Sequence, residues 1–284
     1  MEKNIDYFRF PAVAGTFYPA QKKELEKLIF QFLSNVKLPQ KEKKPIGILV
    51  PHAGYIFSGQ TAVFAFKTLI GKKIETVVLI GDSHYEYFDG VSIWQKGNWQ
   101  TPLGQISIDE DLAAKLLSYS KRFFNKDSAH FFEHSLEVQI PFLQYVLNDF
   151  KILPILIGSQ GKDWQNLAKA LLEYTKNKNV LFLASSDLSH YPCKEDATIY
   201  DKETINAILS CDPQKLDKKL RELEKLNIEN VQTFLCSEDA VKTLLEVVKT
   251  KGGKAMLLNY SNSGDVQYAS QQVVGYASIL FYEK

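Results

Sequence analysis

Five histidines and one cysteine hold most of the chemistry this chain can offer: His52, His84, His130, His134, His190 and Cys236. Imidazole is the commonest protein metal ligand and the natural acid–base group near neutral pH. Three of the histidines follow short apolar runs. Ile46–Val50 leads through Pro51 to His52, Thr76–Gly81 leads through Asp82 and Ser83 to His84, and Val180–Ser185 leads through Asp187 to His190. Each run reads as a buried strand ending in a polar loop, and Pro51 cannot continue a central ladder. In open α/β sheets ligands bind outside the carboxyl ends of the strands. A site built from three strand ends therefore requires these strands to be near neighbours. Asp187 and His190 form a candidate carboxylate–imidazole pair that tunes a general base, or else an Asx-turn and helix cap. His134 and Glu137, three apart, share a helix face; they are a helix-start charge pair, or a glutamate orienting a ligand histidine. Cys236 precedes a helix, where a thiol's pKa falls and a thiolate becomes available as ligand or nucleophile. A small buried cysteine is the plainer alternative.

The elements that must position these groups follow from periodicity. Helices are expected through Leu25–Leu33, from near Gly59 to Leu69, about 109–119, from about Ala129 through Leu143, and about 162–175. Three more are expected at about 195–209, 212–226 (Asp212 as N-cap, Pro213 at N1) and 236–250. Strands are expected at 46–50, 76–81, 152–158, 180–185, 255–260 and 273–282. Val91–Trp94 and Gln105–Ile108 alternate around a Gly/Asn/Pro-rich stretch, which predicts a β-hairpin. Residues 7–19 read as an extended aromatic strap, and Lys37–Lys44 as a charged linker. No repeat or low-complexity tract interrupts the chain, so residues 1–284 are expected to form a single α/β domain. Its central sheet is expected to be mixed but mostly parallel, with flanking helices.

Composition narrows the function. A net charge of +1 with only three arginines, Arg9, Arg122 and Arg221, offers no electrostatic footprint for nucleic acid. No apolar run approaches the ~18 residues of a membrane span. The charged amino terminus is not a secretory signal. Three cysteines without CxxC spacing fit a reducing, cytoplasmic setting. No GxSxG elbow, Walker A loop or GxGxxG fingerprint is present, so serine hydrolase, P-loop NTPase and classical dehydrogenase readings lack support.

Longer blocks carry a family resemblance. Phe10–Pro19, Pro51–Gly59, Gly81–His84, Glu133–Leu143 and Ser185–His190 occur in order over nearly the whole chain and resemble the signature blocks of the Memo family, named after a mediator of cell motility. The resemblance implies a fold like that of the class III extradiol dioxygenases, in which two histidines and a glutamate bind non-haem iron. It implies a metal pocket of His52, His84 and Cys236, with His190 at the acid–base position and Asp187, His134 and Glu137 around them. A thiolate in place of the carboxylate softens the site, favours iron, copper(I) or zinc, and invites thiol oxidation. Bacterial and archaeal members are called component B of a system with a radical-SAM protein, which implies such a partner. A redox or oxygen-linked role follows. The rival reading is a non-catalytic module holding a peptide or protein on a dioxygenase-like scaffold, with the aromatic loops around Tyr55, Tyr85 and Trp94 as contacts. Metal-independent hydrolysis by Asp187 and His190 lacks a nucleophile.

Overall fold

The computed structural model describes residues 7–38, 43–158, 161, 163–266 and 271–284. The charged amino terminus and part of the 37–44 linker, read above, lie outside them. In chain order the elements are β1 (Phe8–Arg9), α1 (Lys22–Ser34), β2 (Pro45–Val50), α2 (Tyr55–Lys67), β3 (Thr76–Asp82), β4 (Val91–Ile93), β5 (Asn98–Thr101), β6 (Gly104–Ser107), α3 (Glu110–Tyr119), β7 (Phe123–Phe124) and α4 (Asp127–Phe131). Then come α5 (Ile140–Val146), β8 (Lys151–Ile157), α6 (Asp163–Tyr174), β9 (Val180–Ser185), β10 (His190–Cys193), α7 (Lys194–Leu209), α8 (Pro213–Glu224), α9 (Glu238–Thr250), β11 (Lys254–Asn262) and β12 (Gln272–Tyr282).

The main sheet runs β10-β12-β2-β9-β3-β8-β4-β7, with β11 also paired to β12. Its central strands β2, β9, β3 and β8 are mutually parallel. Antiparallel pairs flank them on both sides, β12 on β2 and β4 on β8. The sheet is thus mixed: the central apolar runs, buried on both faces, pair in parallel, and the short edge pair β4–β7 is parallel as well. One core lies between the sheet and α3, α6, α8 and α9, built on Leu112, Leu167, Leu216 and Leu244. The other, with Leu25, Ile29, Phe66 and Phe142, packs α1, α2 and α5 on the opposite face. At Gly47 the sheet and α9 meet so closely that a Cβ would lie 2.5 Å from the Phe182 carbonyl oxygen and 2.6 Å from Leu244 Cδ1. No helix among the described residues is long and apolar enough to cross a membrane.

Three local expectations are corrected. The hairpin joins β5 to β6, not Val91–Trp94 to Gln105–Ile108; with β1 it forms a separate small sheet. β4 instead enters the main sheet because Val91, Ser92 and Ile93 are all buried, which a one-face-exposed hairpin strand would not be. α2 starts at Tyr55, four residues earlier than expected, directly after Gly54. The long helix expected from Ala129 to Leu143 is broken: α4 stops at Phe131, a 3-10 turn occupies Glu137–Gln139, and α5 restarts with Pro141 in its first turn. Proline is tolerated there because the first-turn N–H groups have no partner within the helix. The non-helical stretch between α4 and the 3-10 turn places Glu133 and His134 beside His84 and His52.

Candidate metal centre

Strand register sets the floor of the site. Val50 lies opposite Ser185, and Ile80 opposite Ala184. β2, β9 and β3 therefore end at one level and deliver His52, the Ser186–Asp187 turn and His84 to the same sheet edge. Cys236 arrives from far along the chain. The Asp82 carboxylate, at the end of β3, accepts hydrogen bonds from Asp239 N (3.2 Å) and Ala240 N (3.0 Å). It caps the first turn of α9, satisfying N–H groups that have no intrahelical partner. The segment ahead of α9 is pinned again by Cys236 N donating to Asp187 O (3.3 Å) and Ser237 N donating to Ser186 Oγ (3.0 Å). His190 N donates to Thr233 O (3.0 Å), and His190 O accepts from Gln232 N (3.1 Å).

One nitrogen each from His52 and His84 and the Cys236 sulfur lie within 4.8 Å of one another. Cys236 Sγ is 3.2 Å from His52 Nε2 and accepts a hydrogen bond from Asp187 N (3.2 Å). The proton on His52 can be assigned from its neighbours. Ser185 Oγ donates its single proton to Ser135 O (2.7 Å) and accepts from Gln139 Nε2 (2.8 Å). Its 3.1 Å contact with His52 Nδ1 is therefore donated by Nδ1–H, which leaves Nε2 facing the sulfur. His84 repeats the arrangement: Nδ1 lies 3.1 Å from Glu133 Oε1, a carboxylate that can only accept, and His84 N donates to Glu133 Oε2 (2.7 Å). An oxygen acceptor behind each ring fixes the tautomer and raises ring basicity, as in carboxylate–histidine–metal triads.

The charges agree. Burial disfavours the thiolate, but His52, His190 and His84 hold the Cys236 thiol well below its usual range. Burial likewise opposes charging His84, yet Cys236 and Glu133 push it up to about 11. Glu133, though buried, is held down to about 2 by His84. Without a cation, protons on the imidazoles balance the sulfur charge; a metal ion bound to these atoms would take their place. Two further histidines lie beside the cluster. His134 Nδ1 lies 3.5 Å from Glu133 Oε1 and His190 Nε2 lies 3.9 Å from Asp187 Oδ2, each beyond good hydrogen-bond geometry among the described residues. The His134 ring lies 5.3 Å from those of His52 and His84. Burial and the positive His52 hold His134 down to about 3, as a neutral ring. Soft and borderline donors with fixed tautomers fit a bound transition metal.

Of the residues singled out from sequence, His52, His84, Cys236, Asp187, His190 and His134 come together. Asp187 bridges the set, with Oδ1 accepting from His52 N (2.8 Å) and Oδ2 3.9 Å from His190 Nε2. Glu137 does not join them. Its carboxylate is taken by Arg9, Ala12 N, Val13 N and Tyr18 Oη, so it fastens the amino-terminal strap. The carboxylate behind the histidines is Glu133, one residue before His134, because the helix that would have aligned positions 134 and 137 is broken here. Gln139, Ser135 and Ser185 were missed as well; only their proximity to the histidine motifs pointed to them. His130 lies away from the cluster, buried between Trp94 and Trp99 with Nε2 on Ser92 Oγ.

Asp201 supports the His190 loop from below, accepting from Ser189 N (3.0 Å) and Tyr260 Oη (2.9 Å). Burial raises its carboxyl from 3.8 to about 6. A folded value above the unfolded one means that proton binding favours the fold. This stabilising contribution is complete below the unfolded pKa and is lost as pH rises through about 6. Asp201→Asn, which keeps the acceptor on Ser189 N, should flatten the pH dependence of unfolding free energy between about pH 3 and 7, roughly one unit beyond each value. Guanidinium melts across that range check it; parallel curves for parent and variant would refute it.

Fold and site together define a mixed α/β protein with a histidine–histidine–cysteine cluster at the carboxyl edge of its central sheet. Residues 9–280 match the family model described as Memo-like protein. The chain is 38% identical over 274 residues to a MEMO1 family protein of Thermoplasma volcanium, covering 96% of this chain and 97% of that one. It is 39% identical over 287 residues to a MEMO1 family protein of Methanobrevibacter smithii, covering 96% and 99%. The chain belongs to the Memo family. Its fold is similar to that of an uncharacterised protein of Escherichia coli, with a TM-score of 0.53 at 12% identity over 82% of this chain and 98% of that one.

Proposed function

We propose that this Memo-family chain is a mononuclear metal protein in which His52, His84 and Cys236 ligate iron or copper. The observation that carries this reading is the fixed tautomer of both histidines: each Nδ1–H is tied to an oxygen behind it, so each Nε2 faces the Cys236 sulfur. We assign His190 with Asp187 the handling of protons beside the metal, since His190 lines the same cavity as His84 and Cys236 with its Nε2 3.9 Å from Asp187 Oδ2. A thiolate-ligated iron or copper would supply one-electron redox or oxygen chemistry. The protein's own part is to hold the donors, keep His134 neutral and exclude bulk water from His52, which is 2% exposed. The reading extends to a single domain related to the class III extradiol dioxygenases and to a cytoplasmic setting.

The test is metal content by mass spectrometry on protein purified without oxygen, with Cys236→Ser and His52→Ala alongside. Near-stoichiometric iron or copper in the parent, falling several-fold in both variants, is expected. Equal metal in parent and His52→Ala would sink the ligand assignment. A parent that takes up neither metal on reconstitution would end the metal reading.

A further inference from the structure

A cavity of about 640 Å³ opens above the cluster. His84, His190 and Cys236 line its floor, and Arg221, Glu224 and Glu238 line its wall. Arg221 is one of only three arginines in the chain, and its two arms are held differently. Nη2 donates to Glu238, which is nearly buried and also bound by Lys242 Nζ (2.9 Å). Nη1 donates to both oxygens of Glu224 (2.5 and 2.6 Å), three residues on in the last turn of α8. The Glu224 side chain is 48% exposed, and Arg221 is the cation on it among the described residues. One arm is anchored. The other holds a carboxylate that water can readily replace, because an exposed pair adds little net stability.

We propose that Arg221 is the carboxylate-recognition residue of this cavity: it exchanges Glu224 for the carboxylate of a small ligand whose other end reaches the floor. The ligand class is a metal-chelating small molecule carrying a carboxylate. This rests on the metal reading, because the chelating end is placed on the metal. A cationic ligand fits less well, since it would have to compete with an arginine tethered to the wall and anchored by Glu238. An anionic one displaces only an exposed side chain. Guanidinium is also the side chain suited to a bidentate carboxylate.

The test uses iron-loaded protein with metal content measured in every sample. Binding of acetohydroxamate, a chelator without a carboxylate, is compared by calorimetry with the monohydroxamates of succinic, glutaric and adipic acids, which carry one at increasing reach. At least one of the three should bind about tenfold tighter than acetohydroxamate. The gap should close in Arg221→Gln and widen in Glu224→Gln, whose exposed position makes misfolding an unsuitable explanation. Equal binding of all four probes, no binding to protein that carries its metal, or a gap that survives Arg221→Gln would each overturn the proposal while leaving the metal centre standing. A parent without metal would overturn the metal reading first and this proposal with it.

Discussion

Glu137→Gln is expected to cost about 3–5 kcal/mol of folding free energy, the usual loss when one partner of a buried ion pair is removed. Glu137 is fully buried, and its two oxygens serve four donors: the Arg9 guanidinium, Ala12 N (2.8 Å), Val13 N (3.0 Å) and Tyr18 Oη (2.6 Å). An amide can keep only one of the two acceptor oxygens, and its NH2 would face donors. Arg9 would be left charged and buried, holding only the His130 and Glu133 carbonyls (3.1 and 2.7 Å) and the Trp99 face (4.5 Å). Against a typical total of about 5–15 kcal/mol, such a loss releases the strap and threatens the whole fold. Guanidinium unfolding measures it, and limited proteolysis ahead of α1 reports strap release. A loss under about 1 kcal/mol would mean that the network relaxes freely around residue 137. The double variant Arg9→Met with Glu137→Gln should recover part of the stability, because it removes the buried unpaired charge while the amide oxygen still accepts from the strap.

Glu133→Gln is expected to weaken metal affinity about 10–100-fold, the range for loss of a group that orients a ligand histidine. The Glu133 carboxylate accepts from His84 N and Ser135 N and faces His84 Nδ1. A glutamine is close to isosteric but carries no charge, and its amide group can donate where only acceptors are wanted. The His84 ring would lose its orientation and part of its basicity. Competition against a chelator of known affinity measures the change in the folded variant. Parent-like affinity would show that the ring is held by packing alone. The two glutamates thus separate the roles of a short stretch of chain: Glu133 acts on the site, and Glu137 on the strap.

Much of this arrangement is legible in the sequence. β3, β8 and β9 appear as apolar runs because a strand buried on both faces has no alternation to break it. Helices α7, α8 and α9 appear within a few residues of their ends because their apolar faces recur at helical spacing and Asp212-Pro213 marks one start. The placement of His52, His84 and His190 just past strand ends also follows from the runs themselves. Glu133 was not legible. Helical periodicity carries the register from His134 to Glu137, and only the break after Phe131 hands the role to residue 133. The β4 assignment failed for a similar reason: three alternating residues suit a hairpin edge and a buried sheet strand equally well.

Local pattern by itself determined which residues end strands, which segments are helical and which side chains can ligate or move protons. Tertiary structure alone decided that β2, β9 and β3 are neighbours, that Asp82 draws the start of α9 and with it Cys236 to His52, and that Arg221 overlooks the cluster. The reason is physical. Propensity and periodicity act over a few residues, whereas Cys236 and His52 are 184 positions apart, and only sheet order and a helix cap bring them to 3.2 Å.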